Sequence, residues 1–193
     1  SGDGTTRGIP HSLGVAPRFV IVRHRTVQAS GWFVQHYLES FGSSAYAQLH
    51  STNSFTYSSS IWNYAFPTTT AFYITNVVGL NAVGTNYVGY VFAEVPGFSK
   101  IGEYNATGNG VNPMFVHCGF RPAFVMLKAT DITANWCVYD NARNDGNAAP
   151  NMVRVNTADA EITTSVQVDF NSNGFWIRNT DANVNSADQL YAY

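Results

Sequence analysis

Two stretches of the chain share one pattern of apolar and polar positions. Gly14-Val15-Ala16-Pro17-Arg18-Phe19-Val20-Ile21-Val22-Arg23 reads as glycine, two spacers, proline, a spacer, phenylalanine, three apolar residues and a base, and Gly119 to Lys128 reads the same way. A glycine free to take positive φ, followed by a proline fixed at about −65°, makes a turn. The β-branched and aromatic run behind it predicts a buried strand. Trp32-Phe33-Val34-Gln35-His36 and Trp136-Cys137-Val138-Tyr139-Asp140 follow as a second matched pair. The tryptophan, and the valine two places on, recur in both copies. One face is therefore expected to be buried the same way twice, with Trp32 and Trp136 in the core.

The correspondence continues to the ends. Phe72 to Asn76 parallels Phe175 to Asn179, Asn81 aligns with Asn185, and Tyr87 to Tyr90 aligns with Leu190 to Tyr193. Gly2-Asp3-Gly4 is read against Gly108-Asn109-Gly110, and Ser1 to Pro10 as a turn region. Between the copies, Val91 to Tyr104 reads as strand, Pro-Gly turn and strand. The first copy has no counterpart of the Phe98–Tyr104 strand, and the second none of Val91 to Glu94. The middles diverge: Glu39 to Ser60 is serine-rich, with a short strand at Ala45 to Leu49. Asp140 to Asn151 is an Asn/Asp/Gly/Pro loop, with a strand at Met152 to Val155. No window carries helical periodicity, Val34 to Leu38 offering half a turn at most. The expected fold is all-β, a jelly-roll-like β-sandwich of two homologous halves of roughly 100 residues, 1–97 and 98–193, packed as one compact domain.

Composition narrows the function. Hydrophobic residues make up 45% and aromatics 15%, enough for a sizeable core, while charged residues make up only 11%. The ordinary charged share is roughly 25%. The surface is thus left to Asn, Ser, Thr, Gly and Tyr. A net charge of −2 offers no footprint for nucleic acid. No apolar run approaches the roughly 18 residues of a spanning helix, so neither nucleic acid nor membrane insertion is expected. The first residue is Ser1, and the chain reads as a cut-out from a longer polypeptide. Cys118 and Cys137 stand where the first copy has Leu13 and Phe33, which reads as thiols in apolar positions; a disulfide between neighbouring strands stays open.

Further motifs bring a resemblance. His11-Ser12-Leu13-Gly14-Val15-Ala16-Pro17, the run Cys118 to Val125, Asn173-Gly174-Phe175 with Asp181-Ala182-Asn183-Val184-Asn185, and the linker Phe92 to Lys100 together resemble a family of uncharacterised domains common in tailed-phage tail-fibre and related virion proteins. The resemblance covers nearly the whole chain. It implies a virion location, a homotrimer as is usual for fibres, contacts with other virion proteins, and no catalytic residue.

There is no Gly-x-Ser-x-Gly elbow, and the five histidines are scattered. Glycoside hydrolysis needs two carboxylates some 5–10 Å apart. Asp140 with Asp145, or Asp159 with Glu161, are the candidate pairs, and turn chemistry explains the first far better than catalysis does. Asp181, Asn183 and Asn185 have the alternate spacing of a calcium loop. They lack its glycine and bidentate glutamate, so a turn role explains them better and no cofactor is expected. Sugar recognition fits best, through aromatic faces and loop hydrogen-bonding groups. Its candidates are Trp62, Tyr64, Tyr139, Asp140, Asn141, Arg143 and Asn144, where the copies diverge; Trp62 has core packing as its competing role. The expected function is a non-enzymatic tail-fibre domain attaching to host-surface glycan. The alternatives are an architectural or capsid-decorating protein and a tailspike-like polysaccharide-degrading enzyme.

Overall fold

Strands and turns make nearly all the regular structure of residues 1–26, 31–143, 147–163 and 168–193, which the computed structural model describes. The expected turn at Gln28-Ala29-Ser30 falls outside them. The chain divides into two compact units, Ser1–Ser51 with Phe55–Glu94, and Thr52–Ser54 with Val95–Tyr193.

The first unit contains β1 (Arg7–Pro10), β2 (Phe19–His24), β3 (Trp32–His36), β4 (Ala45–Gln48), β5 (Thr56–Tyr57), α1 (Ser59–Trp62), β6 (Ala71–Ile74), α2 (Val78–Asn81) and β7 (Tyr87–Phe92). One antiparallel sheet has the order β5-β4-β3-β2-β7, and β1 pairs with β6 in another. Val20, Val22 and Phe33 of the large sheet share a core with Phe72 and Ile74 of the small one, closed by Trp62 and Leu80. Alternation of inward and outward side chains along each strand produces this two-layer packing.

The second unit contains β8 (Glu103–Asn105), β9 (Met114–His117), β10 (Phe124–Ala129), β11 (Cys137–Asp140), β12 (Val153–Arg154), β13 (Val168–Asn171), β14 (Gly174–Ile177) and β15 (Leu190–Ala192). Its sheets run β12-β11-β10-β15-β8 and β13-β14-β9. Leu127, Cys137, Tyr139, Tyr104 and Tyr191 meet Val116, Phe170, Phe175 and Ile177 in its core. The all-β sandwich is thus present in each unit.

Geometry recurs between the units. Phe19 lies opposite His36 and Phe124 opposite Asp140, while Ile9 pairs Phe72 and Val116 pairs Phe175. The Tyr87 hydroxyl donates to the Val78 carbonyl (2.6 Å) and accepts the Ala82 N–H (2.9 Å). The Tyr191 hydroxyl does the same with Ala182 (2.7 Å) and Ser186 (2.9 Å), so Tyr87 matches Tyr191 and the expected alignment of Tyr87 with Leu190 is displaced by one residue. Asn81 Oδ1 accepts the Asp3 N–H, and Asn185 Oδ1 those of Thr107 and Gly108. These bonds place Gly4 with Gly108, both at positive φ (72° and 64°). The expected match of Gly2-Asp3-Gly4 with Gly108-Asn109-Gly110 is therefore displaced by two residues.

Other expectations need correction too. Arg7 to Pro10 is a strand, β1, and not part of a turn; its proline is tolerated because, among the described residues, β1 pairs with β6 alone. The helices α1 and α2 are single turns, too short to leave a periodicity. Trp32 is only half-buried, with the Arg23 guanidinium 4.6 Å above its ring and Tyr90 stacked 6.5 Å away, whereas Trp136 is fully enclosed. Phe19 is covered by Phe92, but Phe124 is 59% exposed. The cause is pairing length, since β7 follows β2 throughout while β15 reaches only Lys128 and Ala129 of β10. Both cysteines are free thiols.

Lys128, at the register of Arg23, is wholly buried, and its Nζ donates to the Ala129 carbonyl (2.8 Å) and more weakly to that of Thr52 (3.4 Å). Burial pulls its ammonium from 10.5 to about 8, against the pull of Cys137 and Asp131. The folded state then binds this proton less tightly than the unfolded one, so the lysine's contribution to stability rises with pH between about 8 and 10.5. Cys137, pushed up from 9.0 to about 12 by burial, acts in the opposite sense above 9.0. Relative to Lys128→Met, the native chain should therefore gain about 1 kcal/mol from about pH 7.5 to 9 in urea unfolding. A pH-independent difference between the two proteins would contradict the charged-lysine reading.

Candidate functional site

The exposed loop leaving β11 is the best-formed polar cluster among the sequence candidates. Asp140 ends that strand, and its Oδ1 accepts the N–H groups of Ala142 and Arg143, each at 3.0 Å. Such a turn is what an Asp at a strand end favours. The other carboxylate oxygen accepts Arg143 Nε at 2.6 Å, and Arg143 Nη1 reaches Glu161 Oε1 at 3.1 Å. Asn151 closes the far side, donating to the Arg143 carbonyl (3.3 Å) and to Glu161 Oε2 (3.5 Å). Burial tends to raise the Asp140 carboxyl, but the Arg143 side chain and the two backbone donors outweigh it and leave its pKa lowered. Asn141 stands exposed beside them.

The remaining candidates separate. Trp62 is completely buried in the first unit's core and offers no ring face to a sugar. Tyr139 is equally buried, its hydroxyl 3.2 Å from Met152 Sδ. Both were expected at a binding surface, and both are corrected by the apolar packing that their rings complete. Tyr64 is 68% exposed, just beyond α1, at φ 51°, with its carbonyl held by the Ser43 hydroxyl. It belongs to the first unit, whereas Asp140, Asn141 and Arg143 belong to the second. Asn144 and Asp145 lie outside the described residues, so the Asp140–Asp145 pair has no geometry to report.

The model of a family described as "Domain of unknown function (DUF7483)" matches residues 1–193. The chain belongs to this family. No curated protein and no solved structure matches it.

Within this DUF7483 domain, the other sequence candidates are tied into structure. Asp159 pairs with Arg154 at 3.3 Å, so the Asp159–Glu161 carboxylates are drawn to different arginines. Asp181 Oδ1 accepts from the backbone and side chain of Asn183, both at 2.7 Å. Asn183 Oδ1 in turn accepts from Asn135, and Asn185 Oδ1 from Thr107 and Gly108. These oxygens are occupied by N–H donors and brace three chain segments. Among the described residues, no three His, Cys, Asp or Glu side chains group to hold a metal ion. Sequence reasoning missed the bridge from Arg143 to Glu161, because a separation of 18 positions gives no local signal.

Proposed function

We propose that the chain is a non-enzymatic virion module, a tail-fibre domain built from two copies of one β unit that attaches to host-surface glycan through the loop after β11. The observation that carries this reading is the Asp140–Arg143–Glu161 cluster: an exposed loop, outside the recurring framework, in which guanidinium, carboxylate and amide groups are held in fixed positions. Such groups bond sugar hydroxyls, and side chains already held in place lose little entropy on binding. Asp140, whose pKa is lowered by the Arg143 side chain and two backbone donors, is a poor proton donor, which supports binding over hydrolysis. The charge-poor surface suits packing into a homotrimer and against other virion proteins.

A glycan array of host envelope polysaccharides tests the reading. The native protein should bind a defined subset, and Arg143→Ala should weaken that binding about tenfold or more. No binding by the native protein would reject glycan attachment, and new reducing ends released from the polysaccharide would reject the non-enzymatic assignment. A purely architectural role, including capsid decoration, is the second reading. It is favoured by the exposed rings of Phe98 and Phe124, 80% and 59% accessible, which suit burial against a neighbour.

A further inference from the structure

The outer face of the β13-β14-β9 sheet carries groups that the first unit does not repeat. Phe170, Phe175 and Val116 lie in the core, so their chain neighbours Asp169, Trp176 and Phe115 stand on the opposite face. The ladder sets these three in one row, Asp169 opposite Trp176 and Trp176 opposite Phe115. The Trp176 and Phe115 rings meet at 4.9 Å and 49°, and both are half-buried. Gly174 permits this arrangement, because a Cβ there would come within 2.8 Å of Phe115 Cζ. The Phe115 ring thus leans over Gly174, and the two rings make a bent aromatic platform.

An ion pair stands at one end of that platform. Arg178 Nε donates to Asp169 Oδ2. Asp169 is 7% exposed, whereas the Arg178 side chain is 44% exposed and engages the carboxylate through Nε alone. The second carboxylate oxygen, Asp169 Oδ1, is enclosed and receives no hydrogen bond. Among the described residues it is the one buried carboxylate oxygen left in that state. A buried acceptor without a donor is costly and calls for an explanation. The sandwich itself does not require it. In the first unit the matching row is Gly8 opposite Tyr73, and Thr75 stands at the place of Arg178, its hydroxyl donating to the Ser60 carbonyl. Neither the ring pair nor the ion pair recurs there.

We propose that this face is a second saccharide subsite, which takes one pyranose ring against Trp176 and shares its hydroxyls between Asp169 and Arg178. A sugar hydroxyl can do both jobs at once, donating to Asp169 Oδ1 and accepting from an Arg178 Nη group. The guanidinium pivots about its single bond to admit it. The C–H face of the ring covers the indole, which places an apolar body beside convergent polar groups. The charges select a neutral polyol: the guanidinium at the mouth repels a cation, and the carboxylate behind it repels an anion. The inference rests on glycan attachment as the role of the protein, but not on the loop after β11.

Nuclear magnetic resonance of the intact, isotope-labelled chain tests it. The probes are the methyl glycosides of glucose, galactose, mannose, rhamnose and N-acetylglucosamine, each added to ~50 mM, where weak single-sugar binding is measurable. The Trp176 indole resonance, assigned by its loss in Trp176→Phe, should shift saturably with at least one of them. Folded Asp169→Ala should weaken that response about tenfold or more. The proposal is overturned if no glycoside moves the Trp176 resonance, or if Asp169→Ala responds with unchanged affinity. It is also overturned if Trp176→Ala dissociates an oligomer in sedimentation, since the face would then be a packing surface. The Asn151 side-chain amide reports the loop after β11 in the same spectra. Movement at Asn151 without Trp176 rejects this subsite and leaves the loop reading standing, while movement at Trp176 without Asn151 supports the subsite independently of the loop.

Discussion

Asn185→Ala is expected to destabilise the second unit by about 3 kcal/mol, one of the two largest single-residue effects anticipated here. Asn185 is completely buried, and its side chain makes three bonds to backbone. Oδ1 accepts Thr107 N–H and Gly108 N–H, each at 3.1 Å, and Nδ2 donates to the Asn179 carbonyl at 2.5 Å. Alanine would leave these three backbone groups without that partner, and a buried unsatisfied group costs roughly 1–3 kcal/mol. Partial entry of water keeps the total below the simple sum. For a unit of roughly 100 residues this corresponds to a fall of about 10–20 °C in Tm. Asn81→Ala should cost less, because Asn81 bonds Asp3 and Thr5, which are themselves exposed. Thermal and urea unfolding of the two variants, followed by circular dichroism, checks both the size and the order. A change within about 0.5 kcal/mol for Asn185→Ala would show that the asparagine is not a strut.

The same asparagines show what the sequence made legible and why. Asn81 and Asn185 were readable as turn residues because both copies retain them. Their bonding partners lie 78 residues upstream or closer to hand, and no local pattern reveals such pairs. The strands at Phe19 and Phe124 were legible because apolar runs behind a Gly-x-x-Pro turn leave a strong signal, and those at Trp32 and Cys137 because the tryptophan, and the valine two places on, recur in both copies. Strand β1 was not, since Gly8 and Pro10 read as turn residues, and only pairing with β6 makes an edge strand of them. At the candidate site, Asp140 and Arg143 were legible from loop chemistry. The burial of Tyr139 was not anticipated, although its place one residue before Asp140 on a strand sends its ring to the opposite face. Trp62 entered the core through α1, a single turn without a periodic trace.

Tyr104→Ala should be the most damaging change in β8, at about 4 kcal/mol. Tyr104 is 7% exposed, stacks on Tyr191, tilts against Tyr193 at 6.4 Å and bonds the Val184 carbonyl through its hydroxyl. Removing the ring takes away transfer energy and leaves a void that rigid sheet neighbours cannot fill. Tyr104→Phe isolates the hydroxyl and should cost about 1 kcal/mol, the net worth of one buried hydrogen bond with its carbonyl left behind. Burial also pushes the Tyr104 phenol well above its ordinary value of 10.0. A raised folded pKa means that the native chain loses stability as pH rises beyond that ordinary value, and Tyr104→Phe should lose less. Urea unfolding of the three proteins at neutral and alkaline pH measures all of these differences. A small cost for Tyr104→Ala would mean that the ring is not what closes this edge of the second unit.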